Sequence, residues 1–364
     1  MNKLFSPVQI GNLKLNNHMV MAPMTRSRAI NNIPNKLMAE YYAQRATAGL
    51  IVTEGTSPSP NGLGYSRIPG IFNQQQIDGW KLVTKAVHDQ GGKIFAQLMH
   101  TGRVTHPANL PKGAEILAPS AAKMETTKMW TDQEGMQEIP VAKAMTKEDI
   151  QHAIAEYIQA AKNSITAGFD GVEIHGANGY LIKQFLNPHT NIRTDEYGGT
   201  IENRSRFLLE VMQGITHAIG KEKVGIRLSP YGVFNETPLY PDAGATYDYV
   251  SRELNNLGIL YLHLVDHSSM TGQPVPQHLV DTIRNNFKGA LILSGGYDID
   301  RAEAALLNGK ADLVAFAKNF LSNPDLVHRL KNKLPLNSPK FDLFYTPGAE
   351  GYTDYPVFEK EMAV

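Results

Sequence analysis

Three residues with complementary chemistry stand close together in the stretch GVEIHGANGY, residues 171–180. His175 and Asn178 can each donate a hydrogen bond, and Tyr180 carries a weakly acidic proton. The stretch begins like a strand and ends like a tight turn, so both donors can reach one acceptor above the strand end. Such a group suits a substrate oxygen that gains negative charge while a neighbouring carbon is protonated. A structural turn with a hydrogen-bonded His175 and a half-buried Tyr180 is the alternative explanation.

A buried charge is expected in the same part of the chain. Side chains alternate along a strand, so Glu173 and His175 share one face, directed into the fold, while Val172 and Ile174 pack on helices. Arg227 stands in the apolar run VGIRLS and needs a partner anion, because burying an isolated cation is costly. Glu173 is the structural candidate for that anion, and it would form an internal ion pair with Arg227.

A third group of residues resembles an anion site. Gly295 and Gly296 follow one apolar run, and Lys318 ends the next. Exposed backbone N–H groups and a lysine can hold a phosphate, aided by a helix amino terminus. Asn323-Pro324 is predicted to begin that helix, with Asn323 as its N-cap. A plain turn is the alternative explanation for the glycines.

Eight short apolar runs, each followed by a segment of helical periodicity, are needed to position these residues. The predicted strands are 18–25, 50–55, 93–100, 171–176, 224–230, 261–267, 290–296 and 312–318. The predicted helices are 36–48, 76–90, 147–163, 204–219, 246–257, 277–287, 300–308 and 324–333.

This alternation fits either an open doubly wound sheet or a closed (β/α)8 TIM barrel. The nucleotide-binding open sheet would show G-x-G-x-x-G after its first strand, and here that strand leads into Pro23-Met24-Thr25. A barrel builds its active site at the carboxyl ends of its strands, and polar residues stand at those ends here. The sequence therefore favours one TIM-barrel domain over residues 1–364, with an amino-terminal β-hairpin, an insertion at about 101–145 and a tail at 334–364. The polar strand-end residues are Thr25, Glu54, Gln97, His100, His175, Arg227, Asp266, His267, Ser294 and Lys318.

Composition excludes several function classes. The 364 residues hold 35 basic and 35 acidic side chains, so no net charge recruits nucleic acid or an anionic membrane. The chain has no cysteine, which removes disulfides, thiolate metal sites and thiol nucleophiles, so redox activity needs a cofactor. No metal motif accompanies His263 and His267, and G-x-S-x-G is missing. The sequence also shows no signal peptide or membrane span, so a cytoplasmic protein is expected.

The chain resembles the Old Yellow Enzyme family of FMN-dependent ene-reductases, and within it the N-ethylmaleimide reductase type. The long central block is the most specific part of the resemblance, which runs along nearly the whole chain. The similar segments are LFSPVQIGNLKLNNHMVMAPMTR, GYSRIPGIF, QLMHTGR, GVEIHGANGYLIKQFLNPHTNIRTDEYGGTIENRSRF, GIRLSP, NPDLV and AEGYTDYP.

This resemblance implies one FMN at the carboxyl mouth of the barrel. Thr25, Gln97 and Arg227 would contact the flavin ring, with Arg227 beside its negatively charged edge. His175 and Asn178 would bind the oxygen of an activated alkene. The remaining cofactor contacts would come from Pro23, Met24, Gly55, Gly295, Gly296, Ala317 and Lys318, and the remaining substrate contacts from Thr25, Tyr65, Met99, Tyr180 and Tyr352.

The implied reaction is a ping-pong reduction of the C=C bond in α,β-unsaturated carbonyls, maleimides and nitro compounds. NADPH or NADH would reduce FMN and leave, and the alkene would then take hydride from flavin N5 and a proton from Tyr180. The sequence leaves open the physiological alkene, the choice between NADPH and NADH, and the oligomeric state.

Two departures from the family pattern bear on this implied site. Relatives usually carry Trp where Met99 stands, so a roomier pocket and a different substrate range are expected. They also carry Gly-Arg where Ala317-Lys318 stands, which exchanges a bidentate phosphate contact for a point charge. The rival functions are a barrel aldolase with Lys318 as Schiff-base amine, and a flavin-binding sensor without turnover.

Overall fold

The computed structural model describes residues 2–268 and 273–358, where strands alternate with helices. The barrel strands are mostly apolar runs that are buried along their whole length, as expected for parallel strands covered on both faces. In chain order the strands are β1 (Val8–Ile10), β2 (Leu13–Leu15), β3 (Met19–Met21), β4 (Leu50–Thr56), β5 (Ile94–Leu98), β6 (Leu117–Ala118), β7 (Lys128–Thr131), β8 (Gly135–Glu138), β9 (Lys143–Ala144), β10 (Gly171–Gly176), β11 (Val224–Leu228), β12 (Tyr261–Val265), β13 (Ala290–Ser294) and β14 (Leu313–Phe316).

The helices begin and end close to the predicted positions, with two short additions at 181–186 and 318–322. Thr146 caps the helix that begins at Lys147: its hydroxyl accepts a hydrogen bond from the backbone N–H of Asp149 at 3.1 Å. No helix in the described ranges is long and apolar enough to cross a membrane. The α-helices are α1 (Lys36–Ala43), α2 (Gln74–Asp89), α3 (Lys147–Thr166), α4 (Leu181–Leu186), α5 (Ile201–Ile219), α6 (Ala243–Leu257), α7 (Gln277–Asn286), α8 (Ile299–Leu307), α9 (Lys318–Ser322) and α10 (Leu326–Lys331).

Eight parallel strands close into a barrel in the order β10-β11-β12-β13-β14-β3-β4-β5. This confirms the predicted TIM barrel, and each of the eight predicted strands supplies one barrel strand. Val172 and Ile174 pack in the hydrophobic layer between the barrel and its helices. Glu173 instead points inward, where it reaches β12 across the barrel.

The predicted amino-terminal hairpin, β1 paired with β2, closes the bottom of the barrel. It turns at Gly11, which has a φ of +51° and leaves 2.8 Å between a hypothetical Cβ and the side chain of Leu260. Ile10 and Leu15 pack against residues at the amino ends of the barrel strands, including Leu50. Since this end is filled by apolar side chains, the carboxyl end is left to bind ligands.

The insertion after β5 forms two small sheets, β6 with β9 and β7 with β8. Met124, Met129 and Ile139 of this insertion pack in one apolar cluster with Met99 and Tyr180. The insertion therefore supports one side of the barrel mouth.

The carboxyl-terminal tail crosses the same mouth and is held by two buried arginines. Arg26 donates to the carbonyl of Gly351 at 2.7 Å, and Arg28 donates to the carbonyl of Phe344 at 2.7 Å. Both arginines follow β3, so the tail is fixed to the first barrel strand.

Candidate functional site

A cavity of about 610 Å³ opens at the carboxyl ends of the barrel strands. Each of the eight strands, or the residues directly after it, contributes to its wall. The structure thus brings together residues that are up to 323 positions apart in sequence, from Ala22 to Tyr345. The predicted site residues in the wall are Pro23, Met24, Thr25, Gly55, Gln97, Met99, His175, Asn178, Tyr180, Arg227, Gly295, Gly296, Ala317 and Lys318.

His175 is held as a neutral hydrogen-bond donor at the end of β10. Its Nδ1 accepts a hydrogen bond from the backbone N–H of Ala177 at 3.2 Å. Burial, assisted by the positive charge of Arg227 on the neighbouring strand, holds the pKa of His175 well below its ordinary value. With Nδ1 occupied as an acceptor, the proton of the neutral ring resides on Nε2.

Asn178 follows in the left-handed region, with a φ of +57°. Its backbone is fixed on both sides: the N–H donates to the Ser229 hydroxyl at 3.0 Å, and the carbonyl accepts from Nδ2 of Asn235 at 2.7 Å. Its side-chain Oδ1 is buried and has no hydrogen-bond partner among the described residues. The side-chain amide is therefore available to a ligand in the cavity.

Tyr180 completes the predicted triplet. Its ring lies edge-on to His175, with 4.9 Å between ring centroids, and its hydroxyl is 2.8 Å from the hydroxyl of Tyr65. Burial raises the pKa of Tyr180, against the effect of its hydrogen bond with Tyr65. Tyr180 therefore keeps its proton at neutral pH. Tyr65 does not line the cavity and reaches the site through Tyr180.

The alternative of an internal ion pair between Glu173 and Arg227 is wrong. The Glu173 carboxylate accepts from Gln97 Nε2 at 2.7 Å, from His263 Nδ1 at 2.8 Å and from the Tyr261 hydroxyl at 3.2 Å. Burial alone would raise the pKa of Glu173, but His263 and then Arg227 outweigh it and hold that pKa below its ordinary value. Arg227 itself forms no ion pair with another described residue, and it lines the cavity.

The Glu173 network also orients Gln97. A carboxylate can only accept, so the nitrogen of the Gln97 amide must face Glu173. The amide oxygen is thereby left for a donor in the cavity wall or in a ligand. Gln97 and Arg227 lie on β5 and β11, the two strands that flank β10.

Two of the polar strand-end residues do not reach the cavity. The pairing of β4 with β5 shifts register between Val52 and Gly55, and such a bulge changes which residue faces inward. Gly55 therefore lines the cavity, while the buried Glu54 accepts from the backbone N–H of Arg26 at 3.1 Å. His100 turns back on its own loop, where Nδ1 accepts from the N–H of Gly102 at 3.0 Å.

The opposite side of the cavity is built from backbone and one lysine. Gly295 has a φ of +120°, and a Cβ there would lie 2.1 Å from the carbonyl oxygen of Asp266. Only glycine fits this position. Gly296, also in the left-handed region, is exposed, and so is Lys318.

The predicted helix start at Asn323-Pro324 is wrong. Helix α9 already begins at Lys318, and Asn323 is the buried residue at its carboxyl end. Helix α10 begins at Leu326. A five-residue helix was missed because it is too short to show periodicity.

The prediction that Tyr352 lines the pocket is also corrected. Tyr352 is fully buried, and its ring stacks on Tyr41 with centroids 4.0 Å apart. The guanidinium groups of Arg26 and Arg28 lie 5.1 Å and 4.8 Å from its centroid. Other aromatic residues, not predicted as site residues from the sequence, line the cavity instead: Phe234, Tyr297, Phe316, Phe341, Phe344 and Tyr345. The abundance of aromatic residues after 334 was the one signal that could have pointed to the last three.

The chain is similar to known proteins over nearly its whole length. The sequence profile of the NADH:flavin oxidoreductase / NADH oxidase family matches residues 3–337. A probable flavin mononucleotide-dependent alkene reductase from Leishmania infantum is 42% identical over 358 residues, which is 97% of each chain. The 12-oxophytodienoate reductase 7 of Oryza sativa subsp. japonica is 40% identical, over 97% of this chain and 94% of that protein.

Solved structures are similar over the whole fold. Morphinone reductase in complex with tetrahydroNAD has a TM-score of 0.93 and 42% identity, and the match covers 99% of this chain and 98% of that one. The Old Yellow Enzyme homologue from Zymomonas mobilis also has a TM-score of 0.93, with 40% identity, covering 98% of this chain and 100% of that one.

Proposed function

The chain belongs to the NADH:flavin oxidoreductase / NADH oxidase family, and from that membership we propose that it reduces the C=C bond of activated alkenes with FMN as cofactor. The substrates are α,β-unsaturated carbonyls, maleimides and nitro compounds, in which an oxygen can gain charge as the double bond is reduced. NADPH or NADH is the reductant. The observation that carries the proposal is the neutral His175 beside Asn178 and Tyr180, on the same cavity rim as Arg227, which has no ion-pair partner among the described residues.

The residues present fit an FMN molecule. Arg227 is a buried cation without an anionic partner among the described residues, as expected beside a negatively charged ring edge. Gln97 presents its amide oxygen to the same space, and Thr25 and Gly55 complete this wall. Gly296 and Lys318 would hold the phosphate. When bound, FMN supplies the hydride-transfer chemistry for which the chain has no group of its own.

The chain's own residues then act on the substrate. His175 Nε2–H and the Asn178 amide donate to the substrate oxygen, which favours the charge that develops there. Tyr180 supplies the proton to the carbon next to the activating group. The raised pKa of Tyr180 keeps that proton available at neutral pH.

The comparisons support the coarse features of this reaction. One relative is described as an FMN-dependent alkene reductase, and another is named for the reduction of 12-oxophytodienoate. Morphinone reductase has been solved with tetrahydroNAD, which supports a nicotinamide reductant here. These names do not identify the alkene that this chain reduces.

The test uses the protein loaded with FMN under anaerobic conditions. NADPH or NADH should bleach the flavin absorbance within seconds, and 2-cyclohexenone should restore it with formation of cyclohexanone. A protein that binds FMN but is bleached no faster than free FMN would be a sensor, and the proposal would fail. A protein that takes up no FMN, and is instead trapped by borohydride through Lys318, would be an aldolase.

A further inference from the structure

We propose that Lys183, Ser229 and Asn235 form an anchor that positions Asn178 for oxygen binding. These three residues are the Asn178 anchor. They position Asn178 and do not contact the substrate themselves. The inference rests on the proposed function of Asn178, and it adds the reason why that side chain is held in place.

Asn178 cannot hold its own position. Its φ of +57° lies in the left-handed region, which residues other than glycine seldom adopt. Gly179 follows it with a φ of +77°, so two residues in succession adopt this uncommon backbone. Since the side-chain Oδ1 has no partner among the described residues, only contacts to the backbone of Asn178 can fix it.

Those contacts come from the loop after β11. The Ser229 hydroxyl accepts from the Asn178 N–H at 3.0 Å, and Asn235 Nδ2 donates to the Asn178 carbonyl at 2.7 Å. The backbone N–H and the backbone carbonyl of Asn178 are thus both held by side chains, which lie 51 and 57 positions later in the sequence. The position of Asn178 is therefore set by the neighbouring strand's loop as well as by β10.

Lys183 fixes the Ser229 side of this arrangement. It lies on α4, three residues after Tyr180, and its ammonium group is buried with 2% of the residue exposed. Nζ donates to the Ser229 carbonyl at 2.8 Å, to the Ser229 hydroxyl at 3.0 Å and to the Gly232 carbonyl. An ammonium group has three donors, and here each has an acceptor.

These bonds determine the rotamer of Ser229. Its hydroxyl oxygen accepts from both Lys183 and the Asn178 N–H, so both lone pairs are used and the oxygen is fixed between them. Lys183 has no carboxylate partner among the described residues. Burying an ammonium group without a counter-ion is costly. The burial of Lys183 is explained if its function is to orient Ser229.

The other end of the loop is fixed independently. Arg103 donates to the carbonyl of Asn235 at 3.2 Å and to that of Glu236 at 2.7 Å. Asn235 and Glu236 both have positive φ values, of 54° and 53°. The loop is therefore held by one buried cation near each end, and it presents Ser229 and Asn235 at fixed positions.

The test is phenolate binding to the FMN-loaded enzyme, followed through the flavin spectrum with 4-chlorophenol. A phenolate presents one anionic oxygen to His175 and Asn178. Lys183→Met and Ser229→Ala should each weaken phenolate binding about tenfold, the size expected when one hydrogen bond to a charged group is lost or misaligned. FMN affinity should stay within a factor of two. Ser205→Ala removes a buried serine hydroxyl that lacks a partner among the described residues, and it should leave phenolate affinity unchanged.

A double-mutant cycle separates positioning from a general structural role. If the anchor acts through Asn178, Ser229→Ala should have no further effect on phenolate affinity once Asn178→Ala is present. Additive losses, or a loss of FMN affinity that matches the loss of phenolate affinity, would overturn the inference. Ser229→Thr keeps the hydroxyl and should restore most of the affinity lost in Ser229→Ala. If Asn178→Ala and His175→Ala both leave phenolate binding intact, the proposed function itself fails, and the anchor fails with it.

Discussion

The two sides of the cavity are built in opposite ways. The oxygen side, formed by His175, Asn178 and Tyr180, is largely buried, and each of its residues makes a hydrogen bond: His175 within its own turn, Asn178 to Ser229 and Tyr180 to Tyr65. The phosphate side, formed by Gly295, Gly296, Ala317 and Lys318, is mostly exposed and offers backbone N–H groups and one flexible cation.

This contrast matches what each side is proposed to bind. A substrate oxygen that gains charge only during the reaction has to be met by donors already in position, since reorientation would cost part of the stabilisation. A phosphate is fully charged throughout and can be held by several N–H groups and a cation with little directional demand. Substitutions on the oxygen side should therefore have the larger effects.

The largest effect is expected for Tyr180→Phe. Loss of the proton donor should slow alkene reduction about 100-fold or more, the lower end of what a general acid contributes. Flavin reduction by NADPH needs no proton from this hydroxyl and should change little. Stopped-flow measurement of the two half-reactions separates these rates. Equal slowing of both would show that Tyr180 only maintains the shape of the site.

The next effect is expected for His175→Ala, which removes the neutral Nε2–H donor. Phenolate affinity should fall about 10- to 100-fold, as for the loss of a hydrogen bond to a charged acceptor. A spectral titration with 4-chlorophenol measures this loss. An unchanged titration would take His175 out of the oxygen side.

A smaller effect is expected on the phosphate side. Lys318→Met should weaken FMN binding about three- to tenfold, because one exposed charge is lost while the backbone N–H groups of Gly295 and Gly296 remain. Lys318→Arg should bind FMN at least as well as the unaltered protein, through a bidentate contact. Equilibrium dialysis at low and high salt checks both variants. If Lys318→Met lost FMN as completely as the unfolded protein does, phosphate binding would depend on this one cation. The proposed difference between the two sides of the cavity would then be wrong.

The smallest effect concerns the pH dependence of stability. Burial lowers the pKa of Lys183 to about 7 from an ordinary value of 10.5. Between these values the unfolded chain binds more protons than the folded one, so this lysine makes stability rise with pH. Relative to Lys183→Met, the melting temperature of the unaltered protein should therefore increase by about 3 °C between pH 6 and pH 9. A difference that stays constant would mean that Lys183 keeps its proton in both states.

Much of the fold was predictable because it follows from local patterns. Buried parallel strands are continuous apolar runs, and helices such as 147–166 show an apolar stripe and a capping threonine. Eight repeats of this alternation, together with polar residues at the strand ends, were enough to favour the barrel. The short helices at 181–186 and 318–322 carry no comparable pattern and were not predicted.

Most of the errors in the site concern contacts between distant segments. The bulge between β4 and β5 keeps Glu54 out of the cavity wall, and Glu173 binds His263 where an ion pair with Arg227 was the alternative. Tyr352 packs between Tyr41 and two arginines, away from the cavity. Strand β5, His263 and Tyr41 all lie far in sequence from the residues whose positions they set, so no local pattern could reveal these contacts.

The sequence by itself determined the barrel, the type of chemistry at each strand end and the need for a borrowed redox group, because these depend on periodicity and residue type. Only the tertiary structure decided which nitrogen of His175 faces the cavity and what holds Asn178 in a left-handed turn. It also decided that Arg227 has no anionic partner among the described residues. Those features depend on which side chains from separate strands come within hydrogen-bonding distance, and that distance is fixed only when the barrel closes.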